Sequence, residues 1–573
     1  MKKKNVPTAK SEKVVAFVVA RLSSSRLPAK HFRKIGFKPL ISWIIDQLRL
    51  STEVDEIVIT TVAEEGNRPL QMWAEEEKIP CFWYEGEVDH VTTRLRKAAE
   101  QYGADISILV SGDCPLIYAP LIDMLVKALK NDVVCDIVCP TPFLQKKPLA
   151  LQGISLARTR AWQMGDDLSD RPELKEHHFP IFAQRPDLFN AKMVSLPDEF
   201  YFSFNRFSVD TLADLEFMNT VYAVLSERQQ LFDLPSVLRL VAEKPELCII
   251  NEHVHQRRLV ENIKKVLFVI DAGGRFGYGH LMRSLELASQ ITERLSWPVA
   301  FMVDDRLALE LLVEHGFIGF CGALGRKVNF LAGQKTFRIN DLICDYDLLV
   351  IDIFDQRGPE KGWRQELAKK VPVAAFDNFQ PWSLEVDLLL VPGLMLKNIN
   401  LADPIFPKTV SGLDYVIIRR EIRRLTRRPI KKDIDLLVYL HDAKLRHLFE
   451  ALAAQTDYRI IVLSSFDNNF PTLLARSRYF LSGFGSSFYE ALYLDTTPLC
   501  WPDSKAHLSD AHNFYEKTGL SVKVIQSLAD IYEVLMPLQK GRVFNPEIKD
   551  GTPHLVAALF ELLESFNIDA EKL

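Results

Sequence analysis

The chain has 573 residues, of which 48% are hydrophobic and 25% charged, and its formal net charge is -5 at pH 7. That length exceeds one hydrophobic core and allows three or four compact units. The slight acidic excess argues against nucleic acid as a main partner, and eight Cys with neither a CxxC pair nor zinc-type spacing point to a reducing compartment.

Residues 1–12 are polar and lysine-rich and read as a flexible tail. Lys2, Lys3 and Lys4 precede an apolar run at 14–20, but Arg21 and Arg26 follow where a secretory signal would place a small-residue cleavage site. No segment has the length and apolarity to span a bilayer, so a cytoplasmic protein without a membrane partner is expected. The run at 14–20, bounded by polar residues, predicts a strand buried on both faces. Helix patterns follow at 39–50 and 68–77, with strands at 56–60 and 106–110. This alternation predicts a parallel sheet wrapped by helices, with ligands at the carboxyl ends of its strands. The first domain is expected over 13–235. A Pro-punctuated helix and a polar stretch make 236–262 a linker.

Residues 265–270 (KVLFVI) restart the same pattern. Strands at 299–303, 348–351, 373–376 and 388–391 predict one lobe over 263–425. Strands at 435–440, 459–463, 479–482 and 498–501 predict a second over 426–573. The basic run at 419–432 between them reads as a solvated linker face. Two doubly wound lobes joined in this way enclose a cleft.

The first strand leads into residues 20–30 (ARLSSSRLPAK). Small residues such as Ser24 let backbone N–H groups approach a phosphate, and Arg21, Arg26 and Lys30 surround it with positive charge. The segment is not a Walker A loop, and a basic serine-rich surface turn fits the spacing equally well. Asp113, in SGDCPLI just past the third strand, is placed either for a hard cation such as Mg²⁺ or for capping the next helix. Asp210, in RFSVDT, ends another apolar–polar strand. Two acids from separate strand ends could share one metal between nucleotide phosphates and an attacking substrate.

Taken in order, residues 20–30, 36–40 (GFKPL), 111–117, 176–180 (EHHFP) and 209–211 resemble the cytidylyltransferases that activate acidic sugars. The branch named for spore-coat polysaccharide synthesis is the most similar, over roughly 13–225. The resemblance implies an α/β nucleotide-diphospho-sugar transferase fold, Rossmann-like and GT-A-type. It implies CTP over the loop of Arg21, Ser24, Arg26 and Lys30, and Mg²⁺ on Asp113 and Asp210. It also implies attack of a sugar hydroxyl on the α-phosphate with loss of pyrophosphate. Ser23 and Ala29 stand at glycines of the family loop, where a Cβ crowds a phosphate or opposes a positive φ. Leu109 replaces a common Arg, and no acid stands at 153–155.

In the second half, residues 271–283 (DAGGRFGYGHLMR) place four glycines between a buried strand and a helix. Gly279 and its neighbours permit close backbone approach to a ligand, and the helix N-terminus favours an anion. His280 is placed either as a general base on water or a hydroxyl, or as a simple cap. Residues 482–490 (SGFGSSFYE) form a second such turn. There Ser486 and Ser487 could offer N–H groups to a diphosphate, with Glu490 accepting from ribose hydroxyls; a bare helix cap is the alternative.

With residues 376–377, 412–415 and 418–419, these segments resemble the UDP-sugar hydrolase of pseudaminic acid biosynthesis through most of 264–525. That resemblance implies a two-lobed GT-B-type architecture. His280 would activate water at the anomeric carbon and release UDP with inversion, and Asp271, Arg283 and Asp377 would lie at the substrate. Phe354 stands where that hydrolase has a functional Tyr, residues 391–393 replace an Asn-bearing stretch, and His507 and Leu508 stand at an Asn-Gln position. Altered polar groups around the sugar point to a different substrate.

The expected protein is a bifunctional nucleotide-sugar enzyme of acidic-sugar (nonulosonate, pseudaminic- or legionaminic-like) biosynthesis. CTP and a UDP-sugar are its small-molecule partners, and homo-oligomerisation is left open. The alternatives are a GT-B glycosyltransferase in the second half, or one domain that only binds sugar nucleotides.

Overall fold

The computed structural model describes residues 12–571 except 25, 169–174, 176–181, 183–184, 186, 205, 256–262, 273–277, 323–337, 354–357, 378–379, 395–405, 427–429, 441, 464–466, 468, 484, 503–504, 519–522 and 537–547. The chain forms two compact units, Met1–Glu261 and Asn262–Leu573.

In the first unit the strands are β1 (Val14–Val19), β2 (Glu56–Val62), β3 (Cys81–Tyr84), β4 (Ile106–Ser111), β5 (Ile137–Pro140), β6 (Ile154–Arg158) and β7 (Ala191–Val194). They make one seven-stranded sheet in the order β3-β2-β1-β4-β6-β5-β7. Only β6 runs antiparallel to its neighbours. The apolar run of β1 has a direct cause: Val14, Ala16 and Val18 enter one core, while Val15 and Phe17 enter the core on the opposite face. With both faces covered, every position along the strand must be apolar. The order reverses between β1 and β4, which opens a crevice at their carboxyl ends.

Residues 236–250, expected as part of a linker over 236–262, instead complete this unit, and residues 256–262 lie outside the described residues. Helix Leu234–Glu243 and the 3₁₀ turn Pro245–Ile250 bury Val237, Leu240, Val241 and Ile250 in its larger core. The apolar stripe of that helix had a packing partner within the domain.

The second unit holds two sheets. β8 (Val266–Ile270), β9 (Val299–Val303), β10 (Ile318–Cys321), β11 (Leu348–Asp352), β12 (Val373–Phe376), β13 (Leu388–Pro392) and β14 (Lys408–Gly412) lie in the order β10-β9-β8-β11-β12-β13-β14, all parallel. β15 (Ile434–Tyr439), β16 (Ile460–Leu463), β17 (Ser477–Ser482), β18 (Thr497–Cys500) and β19 (Lys523–Val524) lie in the order β16-β15-β17-β18-β19, again all parallel. This is the expected two-lobed, GT-B-type α/β build. The last helix, Thr552–Glu571, returns from the second lobe and buries Leu555, Val556, Leu559 and Leu563 in the first lobe's core. Residues 552–571, read from sequence as part of the second lobe, therefore pack with the first.

Candidate functional site

In the first unit the crevice between β1 and β4 collects the charged residues singled out from sequence. The loop after β1 closes where the Ala29 N–H donates to the Leu22 carbonyl at 3.0 Å. Ala29 itself adopts the left-handed conformation, φ 53° and ψ 31°, so a residue with a Cβ takes a turn that suits glycine. Lys30 comes next, nearly buried, and its Nζ donates to Asp113 Oδ2 at 2.6 Å and to Asp210 Oδ1 at 2.9 Å. Arg26 adds a 2.9 Å ion pair to Asp210. Burial alone would lower the Lys30 pKa, but the charges of Asp113 and Asp210 outweigh it and hold the ammonium protonated. Burial opposes ionisation of Asp210 as well, yet Lys30 and Arg26 bring its carboxyl well below the usual range.

The two acids are brought together by backbone. The Val209 N–H donates to the Asp113 carbonyl at 2.8 Å, tying one loop to the other. Gly112 leaves no room for a side chain there, because a Cβ would lie 2.7 Å from the Val19 carbonyl oxygen. Asp214, which the sequence reading missed, anchors the second loop. Its fully buried carboxylate accepts from Arg206 Nε at 2.8 Å and Nη2 at 3.0 Å, from the Asp210 and Thr211 N–H groups, and from Asn251 at 3.0 Å. The signal was an N3 acid after Thr211, a capping box at the start of helix Leu212–Glu227.

Arg21 is half-exposed at the rim, 3.5 Å from Asp89. The Ser24 hydroxyl accepts from the Leu27 N–H at 3.4 Å and so serves its own turn. His31, packed beside Lys30, is lowered to about 3 by burial and by the Lys30 charge, and stays neutral. Two carboxylates aimed at one ammonium form an oxygen donor set of the kind a hard divalent cation takes. Among the described residues no group of three or more His, Cys, Asp or Glu is placed to hold a metal ion. Residues 176–180 lie outside the described residues.

In the second unit the order of the first sheet reverses between β8 and β11, and the site lies at that point. The Asp271 N–H, just past β8, donates to the Asp352 carbonyl at 3.1 Å. Helix Gly279–Leu295 presents His280, Arg283 and Ser284 on one face, at i, i+3 and i+4. All three meet the buried Asp352. His280 Nδ1 lies 2.5 Å from Oδ1, Arg283 Nε donates to Oδ2 at 2.8 Å, and the Ser284 hydroxyl donates to Oδ2 at 3.0 Å. Arg283 also donates to Asp377 at 2.9 Å and lies 4.7 Å over the Phe376 ring. Burial opposes ionisation of Asp352, but Arg283 and His280 together hold it well below the ordinary carboxylate range. In the tautomer that donates Nδ1–H to this carboxylate, Nε2 is the acceptor nitrogen, as a general base requires.

Asp352 did not stand out in the sequence, although an acid ending a fully apolar strand was a signal for it. Gly279 opens the helix with no atom within 4 Å of its absent side chain. Residues 273–277 and 354 lie outside the described residues.

The second lobe differs from expectation in two respects. Glu490, expected to accept from a ribose, is 2% exposed, and Arg419 Nε and Nη2 each donate to it at 2.6 Å. Both oxygens are committed to a closed ion pair. The basic run at 419–432 is likewise only in part a solvated face: Arg424 and Lys431 are exposed, but others are paired. Arg420 pairs with Glu293, Arg423 lies 2.8 Å from Glu286 and 3.0 Å from Asp550, and Lys432 donates to the Leu494 carbonyl at 2.9 Å. Glu286 and Glu293 belong to helix Gly279–Leu295 of the first lobe, so Arg420 and Arg423 join the lobes. Ser486 is exposed and Ser487 half-buried at the start of helix Ser486–Tyr493, whose N-cap, Gly485, supplies no side-chain bond.

Residues 15–223 match the family described as Cytidylyltransferase. The spore coat polysaccharide biosynthesis protein SpsF of Bacillus subtilis is 24% identical over 227 residues, covering 38% of this chain and 88% of its own length. The 3-deoxy-manno-octulosonate cytidylyltransferase of Acidobacterium capsulatum is 29% identical over 104 residues, covering 18% of this chain and 41% of its own. A solved structure of a putative UDP-N-acetylglucosamine 2-epimerase from Listeria monocytogenes covers 53% of this chain and 98% of its own, at 14% identity and a TM-score of 0.37.

Proposed function

We propose that the first unit transfers a cytidylyl group from CTP to a hydroxyl of an acidic sugar, and that the second hydrolyses a UDP-amino sugar. The first reading is carried by the convergence of Asp113 and Asp210 on Lys30, at 2.6 and 2.9 Å. Arg21, Arg26 and Lys30 bind the triphosphate, Lys30 as a permanently protonated donor. Asp113 and Asp210 would hold Mg²⁺, which when bound offsets phosphate charge. The sugar hydroxyl attacks the α-phosphorus, and pyrophosphate leaves. The matched family and the named substrate of the Acidobacterium relative support a sugar acid as acceptor. The test is pyrophosphate release from CTP and Mg²⁺ with a panel of nonulosonic acids, pseudaminic and legionaminic acids included. Release with no acid in the panel would overturn the reading if it occurred, and so would the absence of release with every acid.

The second reading rests on the 2.5 Å contact between His280 and Asp352. Asp352 holds the imidazole so that Nε2 takes a proton from water as the oxygen attacks the anomeric carbon; UDP leaves with inversion. Arg283 and Asp377 face the sugar, and the N–H groups of Ser486 and Ser487 receive the diphosphate. His280→Ala is expected to lower turnover by about 10²-fold or more while UDP affinity is retained. UDP release that requires an added acceptor, rather than water, would replace hydrolysis by glycosyl transfer.

A further inference from the structure

Helix Val91–Tyr102 follows Asp89 and carries Arg94 in its first turn. Arg94 is 2% exposed, and its Nε and Nη1 are both buried without a hydrogen-bond partner. The helix does not lack acids nearby. Arg96, two residues on, pairs with Asp166 at 2.7 Å, and Thr93 donates to the same carboxylate at 2.5 Å. The acid nearest in sequence, Asp89, turns instead toward solvent and lies 3.5 Å from Arg21. Burial first, and then the charge of Arg21, lower the Arg94 pKa to about 10, with Tyr84 and Asp89 offsetting only part of this. The charge of Arg21 thus bears on Arg94, which stands in the first turn of a helix that follows β3 and keeps buried, unused donors. Folding alone gives no reason to keep such a group, since removing a buried unpaired charge stabilises. Buried donors without partners call for a physical reason, and an ion or ligand that completes them is one.

We infer that Arg94 and Arg21 form an oxyanion subsite that takes a phosphate or carboxylate group of a ligand, the buried donors of Arg94 supplying its floor. This deepens the reading of the first unit and rests on that reading only for the ligand's identity: the anion is either the nucleotide's polyphosphate or the acceptor's carboxylate. The experiment uses the full chain and follows calorimetric binding and thermal midpoint with three probes: inorganic pyrophosphate, CTP with Mg²⁺, and N-acetylneuraminate.

Arg94→Met is expected to raise the midpoint of the ligand-free protein and to weaken at least one probe by roughly tenfold to a hundredfold, the range of charge-assisted hydrogen bonds. Arg94→Lys should recover part of that affinity. Loss of pyrophosphate and CTP binding identifies the polyphosphate as the occupant; loss confined to N-acetylneuraminate identifies the carboxylate. If Arg94→Met does not fold, Arg94→Gln is read in the same titrations. Unchanged affinity for all three probes in the variant that folds, or a lowered midpoint in an Arg94→Met protein that does fold, overturns the subsite. Arg94-dependent pyrophosphate binding in a protein that transfers no cytidylyl group would leave the subsite standing and remove only the reading of the reaction.

Discussion

At the scale of single residues, Asp352 has the most to lose. It holds His280, Arg283 and Ser284 at once, and its folded pKa lies below its ordinary value of 3.8. A carboxyl depressed in this way contributes stability that is fully present above its unfolded value and is lost as pH falls through its folded value. Asp352→Asn is therefore expected to destabilise the second unit by about 3 kcal/mol at pH 7, since it leaves Arg283 with only the more exposed Asp377 as countercharge. The gap to the parent chain should narrow as pH drops below 4, and denaturant unfolding at both pH values checks this. A constant gap would place the loss in packing rather than charge.

Ala29 is a smaller case with the opposite sign. A left-handed alanine costs roughly 1–2 kcal/mol, while glycine gives back about 0.5–1 kcal/mol through its looser unfolded chain. Ala29→Gly should leave the first unit's stability equal or up to about 1 kcal/mol higher. A lower midpoint would mean that the alanine methyl has packing worth more than its strain.

At the scale of elements, the loop from Arg206 to Asp214 shows how a turn sets a site. The Asp214 carboxylate receives the N–H groups of Asp210 and Thr211 at 3.1 and 3.0 Å, so it fixes the direction in which Asp210 points. Asp214→Ala removes the two-pronged acceptor of Arg206 together with the acceptor of two loop N–H groups, and is expected to cost about 3–5 kcal/mol. In an unfolding series, Asp214→Asn should fall between the two, because it keeps the cap but not the charge.

The same loop shows what the sequence could and could not disclose. The long apolar strands, β1, β4, β8 and β11 among them, were legible because burial on both faces leaves a run with no polar interruption. Short β3, β5, β6 and β7 were not, since four or five residues of mixed pattern do not distinguish a strand from a loop. Asp113 and His280 could be found because one follows an apolar run and the other opens a helix after glycines; Asp210 was expected at the end of a strand, but residues 206–210 form a loop. Their partners could not be found in the same way. Asp352 stands 72 residues from His280, and Glu286 and Glu293 lie more than a hundred residues before the arginines they neutralise. Arg420 and Arg423 looked solvated because their countercharges were remote in sequence.

At the scale of the whole molecule, each unit closes its own cores. The buried clusters of the first draw on residues between Val14 and Ile250, and those of the second on residues between Val266 and Leu563. The second unit, however, is not two independent lobes. Its last helix leaves the second lobe to bury Leu555, Val556, Leu559 and Leu563 in the first, and Phe560 stacks on Trp297 with ring centroids 5.8 Å apart. At about 1.5–3 kcal/mol for each fully buried aliphatic side chain, those four contribute at most about 6–12 kcal/mol. That is comparable to the entire stability of a typical domain. Ending the chain after residue 551 should therefore unfold the first lobe and abolish UDP release, while CTP-dependent pyrophosphate release by the first unit continues. Differential scanning calorimetry should show the transition of the second unit gone and that of the first unmoved. Loss of both transitions would show that the first unit depends on the second for its stability, which its closed cores give no reason to expect.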